Sequence, residues 1–454
     1  MKVGRILLEC GNTLVSGNNS GIQRVSRNLA RQAIAVGAEL GVTPIPIIKH
    51  RWCCYDGTRW LAALEQRVEA GNPQKPVTRT LESFHSGNSL LKRLLRFLRR
   101  GTLQSISSIV EQESLAWQSS AIHFQSDDLV ISLDVWWTPS LRRLLQQAHQ
   151  QRAQTGIVVY DLLPITHPQF FPSGLTSIFQ QYLDHYLKHA DVLMVISQTV
   201  QNELRKYAKK LLGDRAGEAV KIDFFRLGSD LDLIASGIPS TDQISDSARH
   251  VFAQTPGPPP YLSVGTLEPR KNHNYLLDAF EQIWDRCPQT PLCIVGRPGW
   301  LCGDLLDRIH HHPRFGHELH LLTNASDADL AYCYQHARAL VFSSHAEGFG
   351  LPLIEGLRNG LPVLASDIPV HREVGGESCL YFDIGSPSTL AQIVIDREQT
   401  GAFAAVSDWD PSAVISWRDS TRQFLQKCRV LAESVDSPSM ETPDTEGAEH
   451  AVHS

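Results

Sequence analysis

The chain has 454 residues, 42% of them apolar and 20% charged, with a formal net charge of −6. That length exceeds one ordinary core and suits two domains of roughly 200 residues each. The acidic balance excludes a coat for nucleic acid, so any anionic ligand must be caught by local cations.

The N-terminal run Met-Lys-Val-Gly-Arg-Ile-Leu-Leu-Glu is too short for a signal peptide and is interrupted by Glu9. Ile6 to Glu9 reads as a strand, Gly17 to Gly21 as a loop, and Ile22 to Val36 as a helix with apolar residues at helical spacing. The stretch from Leu90 to Arg100 is basic and amphipathic; as a helix it puts Leu91, Leu94, Leu95 and Leu98 on one face, a pattern suited to an anionic membrane surface or to ordinary inward packing. Strands follow at Leu129 to Leu133, Gly156 to Tyr160, Val192 to Ser197 and Ile222 to Leu227, with a helix at Tyr182 to Lys188. Residues 229–259 lose apolar periodicity and end in Thr-Pro-Gly-Pro-Pro-Pro, a linker composition.

The pattern then restarts. Strands are expected at Tyr261 to Val264, Leu292 to Val295, around His320 and Leu321, at Ala339 to Ser343 and at Pro362 to Ser366. Helices are expected at Asn274 to Trp284, Asp327 to His336, Pro352 to Leu357 and Trp409 to Val430. Residues 434–454 are polar and read as disordered. The expected division is an N-terminal doubly wound domain over 1–228, a linker over 229–259, and a second such domain over 260–408. A helix over 409–433 then crosses back to the first domain, and 434–454 form the tail. Nine scattered cysteines form no CxxC pair and no metal spacing, which reads as reduced thiols. No uncharged apolar run approaches the roughly 18 residues of a membrane span. A cytoplasmic location is therefore expected, at the inner face of the plasma membrane if the basic stretch docks there.

Four segments carry chemistry. In Ser343-Ser-His-Ala-Glu347-Gly-Phe-Gly-Leu-Pro-Leu-Ile-Glu355 a strand ends, two glycines allow close backbone approach, and Pro352 opens a helix. Its free N–H groups suit a phosphate or sugar hydroxyl, through Gly348, Phe349, Gly350 and Leu351. Glu355 is placed to accept from ribose hydroxyls, and Glu347 lies nearer the transferred group. In Val264-Gly265-Thr266-Leu-Glu-Pro-Arg270-Lys271-Asn the two cations sit at a strand end, where they match a diphosphate and its developing charge. Ser16-Gly-Asn-Asn-Ser-Gly21-Ile-Gln-Arg is a weaker glycine loop opening a helix. Val159-Tyr160-Asp161-Leu-Leu-Pro-Ile-Thr-His167-Pro follows another strand, where either Asp161 or His167 could orient an acceptor hydroxyl.

Together these blocks resemble the family 4 retaining glycosyltransferases of the GT-B fold over roughly residues 1–430. The two glutamates with seven residues between them match that family's signature. The segments at Gly21 and Asp161 are similar to bacterial mannosyl- and rhamnosyltransferases of O-antigen and capsule assembly. The resemblance implies two Rossmann-like domains facing a cleft and a metal-independent transfer of a hexose. The donor it implies is a nucleotide sugar, best guessed as GDP-mannose, and the acceptor a glycan or lipid-linked glycan. It implies that Arg270 and Lys271 hold the donor diphosphate, Glu355 the ribose and Glu347 the sugar, with Gly21 beside donor and acceptor. Family members often carry Arg at the position of Thr266 and His at that of Tyr160. Tyr160, Asp161 and His167 are left as alternatives for the role of that His. The alternative function is a catalytically degenerate scaffold that binds nucleotide.

Overall fold

The computed structural model describes residues 2–16, 21–50, 53–69, 119–229, 243–254, 257–404 and 415–434. The stretch from Leu90 to Arg100, most of the loop from Gly17 to Gly21 and the tail beyond residue 434 lie outside them.

Among the described residues, two sheets are built from thirteen strands. The first holds β1 (Arg5–Glu9), β2 (Thr43–His50), β3 (Cys53–Asp56), β4 (Asp128–Ser132), β5 (Gln154–Val159), β6 (Val192–Val195) and β7 (Ile222–Phe224), in the order β3-β2-β1-β4-β5-β6-β7. All neighbours run parallel except β2 and β3, an antiparallel edge pair. The second sheet is parallel throughout. It holds β8 (Tyr261–Val264), β9 (Leu292–Val295), β10 (Leu319–Leu322), β11 (Ala339–Phe342), β12 (Val363–Ser366) and β13 (Leu380–Phe382), ordered β10-β9-β8-β11-β12-β13. The central strands are short continuous apolar runs because helices cover both faces of each sheet.

In each sheet the strand order reverses direction once, between β1 and β4 and between β8 and β11. Such switch points leave a crevice beyond the carboxyl ends of the strands, where ligands of doubly wound sheets bind.

Helix Trp417–Glu433 packs on helix Gly21–Leu40, burying Trp417, Phe424 and Leu425. Arg418 and Arg422 both pair with Glu39. The last described helix thus fastens to the first sheet's layer. One apolar cluster runs through both halves, from Leu29 and Phe424 to Phe349 and Leu353.

Three details differ from the sequence reading. Gly21 is the first residue of a helix rather than a loop residue. The edge strands β2 and β3 lack the clean periodicity that would have marked them. Part of the expected linker is ordered: Ser245 caps the short helix Asp246–Arg249, and Ile244 and Ala248 pack against Ala328.

Candidate active site

The second sheet's switch point builds one wall of a cleft of about 800 Å³. Beyond β8 the chain turns through Glu268 into a 3₁₀ turn, Pro269–Lys271, with Asn272 left-handed (φ 57°) at its end. The turn projects Arg270 and Lys271 toward the loop that follows β11. There Glu347 accepts from Arg270 Nη1 at 2.6 Å, from Lys271 Nζ at 2.5 Å and from Ser344 Oγ at 2.7 Å. Arg270 Nη2 also reaches Glu268 at 2.6 Å. Burial by itself raises the Glu347 carboxyl, but Arg270 and then Lys271 outweigh it and hold the group well below the usual carboxylate range. Burial lowers the Lys271 ammonium, against the pull of Glu347.

The loop after Glu347 is shaped by its glycines. A side chain on Gly348 would bring its Cβ within 2.2 Å of the Tyr160 carbonyl oxygen, so this approach of the two halves requires glycine here. Gly350 takes φ 98° and starts helix Leu351–Arg358, a conformation that disfavours other residues. Pro352 stands in that helix's first turn, where its missing N–H costs nothing. One turn on, Glu355 is 1% exposed. Its Oε2 accepts from Tyr334 at 2.8 Å, and its Oε1 pairs at 2.6 Å with Arg24 from the N-terminal half.

The opposite wall comes from the first sheet. Asp161 follows β5 and accepts from the Leu163 N–H at 3.1 Å. Burial raises its carboxyl, and Arg270 pulls it down. Tyr160 also borders the cleft, but its hydroxyl is engaged, donating to the Leu133 carbonyl at 2.6 Å, and the residue is buried. Gly21, Gly265, Thr266, Arg270, Lys271, Glu347, Gly348, Phe349, Gly350, Leu351 and Glu355 all line the cleft, as does Asp161. His167 does not. It stacks on Phe170 (6.0 Å), which stacks in turn on His345 (4.9 Å) across the junction of the halves.

Of the three alternatives for the missing histidine, Asp161 is the one whose charge meets Arg270, Lys271 and Glu347. Sequence reasoning did not single out Arg24, Tyr334 or the pair Trp136-Trp137, which also line or support the cleft. Two adjacent tryptophans just past a buried strand were a readable signal. Arg24 lay in a quoted segment, but its partner is 331 residues away. Among the described residues no three His, Cys, Asp or Glu side chains gather where a metal could bind, and no helix is long and apolar enough to cross a membrane.

Residues 246–400 match the family model described as glycosyl transferases group 1. The serotype-specific mannosyltransferase WbdA of Escherichia coli is 35% identical over 317 residues, covering 68% of this chain and 38% of that protein. The chain therefore spans well under half the length of that relative. The O-antigen chain mannosyltransferase B of E. coli is 25% identical over 281 residues, 60% of this chain and 69% of the relative. Among solved structures, Anabaena HepE in complex with UDP and glucose superposes with a TM-score of 0.52 at 14% identity over 95% of both chains. Sucrose-phosphate synthase of Thermosynechococcus elongatus does so with 0.54 at 18% identity over 94% of both. At these identities the structures speak to the fold alone.

Proposed function

We propose that this chain, which has the GT-B fold and carries a group 1 glycosyl transferase domain at residues 246–400, is a hexosyltransferase of surface polysaccharide synthesis. The reaction is transfer of a hexose, mannose from GDP-mannose in the first instance, to a glycan or lipid-linked glycan with retention of configuration. The mannosyltransferase names of the relatives support the sugar and the O-antigen context.

The observation that carries the reading is the convergence of Arg270 and Lys271 on Glu347 in a cleft that Glu355 also lines. The two cations would meet the donor diphosphate, and Glu355 would take the ribose hydroxyls by exchanging or sharing Arg24. Glu347 would face the sugar. Fixed positive charge where the phosphate departs lowers the barrier without reorganisation and without calling on a metal. The departing phosphate is the proposed base for the acceptor proton, and Asp161 the proposed orienting group. The stretch from Leu90 to Arg100 is the proposed membrane contact. Equal pelleting with anionic liposomes of wild type and a variant with its five cations neutralised would count against it.

Tyr160, whose hydroxyl is taken up by the Leu133 carbonyl, favours a second reading, a nucleotide-binding scaffold. One assay separates the two. Nucleotide release is measured across a donor panel with and without glycan acceptors. GDP release that depends on acceptor supports the transferase, and binding without turnover for every donor supports the scaffold.

A further inference from the structure

The first sheet has a switch point of its own, and the nucleotide reading leaves it unused. Glu9 ends β1 opposite Ser132 at the end of β4, and the chain leaving β4 runs through Asp134, Val135, Trp136 and Trp137. A second cavity of about 270 Å³ opens here, lined by Glu9, Asn12, Lys49, Asp134 and Thr138 among others. Asn12 and Val135 line both this cavity and the main cleft, so the two spaces adjoin. The smaller one lies just below the size of pockets that enclose a whole drug-sized ligand, and equals the liquid volume of about nine waters. That suits a single sugar ring and is too small for a nucleotide.

The chemistry selects further. Two carboxyls, Glu9 and Asp134, repel a phosphate, while Lys49 beside them disfavours a cation. Carboxyl acceptors, an ammonium and an amide within one small cavity match the mixed donors and acceptors of a neutral polyol. On the cleft side, Trp136 and Trp137 meet edge to face with centroids 5.1 Å apart, which fixes both rings. Trp137 is half-buried, and Trp136 keeps its indole N–H buried with no hydrogen-bond partner. Trp136 is 1% exposed and packs on Phe179 and Tyr186, so it backs the Trp137 ring and leaves Trp137 as the face open to the cleft. An indole face also accepts the apolar C–H face of a pyranose ring. These groups share the cleft with Asp161 and Glu347.

We infer that the first switch point is an acceptor channel for a neutral glycan of at least two sugar rings. The ring nearest the donor lies against Trp137, and the next enters the smaller cavity against Asn12, Lys49 and Asp134. This rests on the transferase reading above. The channel makes the enzyme an extender of existing chains rather than a starter on single sugars.

The test uses the full chain with GDP-mannose. Transfer is measured to methyl α-mannoside and to a panel of α-linked mannobiosides and mannotriosides. In the wild type, the best disaccharide should exceed the monosaccharide in kcat/KM by about tenfold or more. That ratio should collapse toward one in Lys49→Ala and, as an independent second variant on another element, in Asn12→Ala. Trp137→Ala should raise the acceptor KM by about tenfold, more than it raises the donor KM. Equal kcat/KM for the monosaccharide and every longer acceptor overturns the inference. So does a pair of variants that lower mono- and disaccharide rates by the same factor. Nucleotide binding with no turnover on any donor and acceptor is a different outcome: it removes the transferase reading, and the channel falls with it.

Discussion

Both sheets open at a switch point, β1/β4 in the N-terminal half and β8/β11 in the C-terminal half, and the charges gathered there differ in kind. At β8/β11 the charges are opposite: Arg270 and Lys271 close on Glu347, and the carboxylate stays ionised despite its burial. At β1/β4 they are alike. Glu9 and Asp134 line one cavity at the strand ends, and Lys49, on the same cavity, hydrogen-bonds the Ser140 carbonyl and offsets the Glu9 shift only weakly. Burial first, then Asp134, raises the Glu9 carboxyl to about 7. The same crevice is thus charged and pre-formed in one half and near neutral in the other. A diphosphate fits the first, and a neutral polyol the second.

The largest effect expected from this contrast concerns Lys271. Its ammonium is held 2.5 Å from Glu347, and its charge interacts most strongly with a phosphate as it leaves. Lys271→Ala should lower kcat by about 10²-fold to 10³-fold, the usual cost of removing a group aimed at developing charge. Steady-state kinetics with GDP-mannose decides the matter. A change confined to KM would show that Lys271 binds the ground state and transition state alike.

The next effect is on stability and belongs to the other half. The folded-state carboxyl of Glu9 lies above its unfolded value of 4.5, at about 7. The folded state therefore holds the proton more tightly. Stability from this group is fully present below pH 4.5 and lost as pH rises through 7. The shift corresponds to roughly 3 kcal/mol. Glu9→Gln keeps one acceptor oxygen for the Gly11 N–H, can donate its amide N–H to the Ser132 hydroxyl oxygen in place of the bond it accepted, and cannot ionise. The variant should melt higher than wild type at pH 8 and close to it at pH 4. In the C-terminal half the sign reverses at His371, lowered to about 4 chiefly by burial. Its contribution is held above pH 6.5 and lost as pH falls toward 4, so His371→Gln should flatten the acid limb of the stability curve. If Glu9→Gln instead tracks wild type across pH 4–8, the two switch points do not differ as described.

How much of this was legible in the sequence follows from chain distance. The segment from Ser343 to Glu355 is local: strand end, glycines, Pro352 and helix lie within thirteen consecutive residues, and each residue type states its own backbone demand. The basic turn at Arg270 is equally local, and both strand ends were readable as candidate ligand sites of a doubly wound sheet. The first switch point is not local. Glu9 and Ser132 meet only because β1 pairs with β4 in a specific parallel register, across a segment of more than a hundred residues. Nothing near Glu9 announces that Asp134 will be its neighbour. The order in 243–254 was hidden for another reason: its Pro-rich flank set the composition, while Ile244 and Ala248 find their partner at Ala328, far along the chain. The tie of Glu355 to Arg24 is the same kind of fact, a contact that exists only once the two halves face each other.

The smallest effect concerns what holds the halves face to face. Glu373, in the C-terminal half, accepts from the backbone N–H groups of Gln198 and Thr199 at 2.7 and 2.8 Å and from the Thr199 hydroxyl at 2.5 Å. These residues open helix Gln198–Leu212 of the N-terminal half, so the carboxylate meets the positive end of a helix dipole. Ser197, which caps the same helix, donates to the Gly348 carbonyl at 2.8 Å, directly beside Glu347. The clamp therefore joins the N-terminal half to the loop proposed to cradle the donor. Its Glu373 half is solvent-exposed, which limits its worth, whereas the Ser197 bond is buried and unscreened. Glu373→Gln keeps one acceptor and removes the charge, and should loosen closure by about 1 kcal/mol at most. The readout is small-angle scattering with and without GDP, together with amide exchange at residues 198–202. A modestly larger radius of gyration without ligand and faster exchange at the helix start are expected, both relieved by nucleotide. Identical exchange in variant and wild type would mean that the buried Ser197–Gly348 bond and the apolar cluster beneath it hold the closed form without help from the exposed carboxylate.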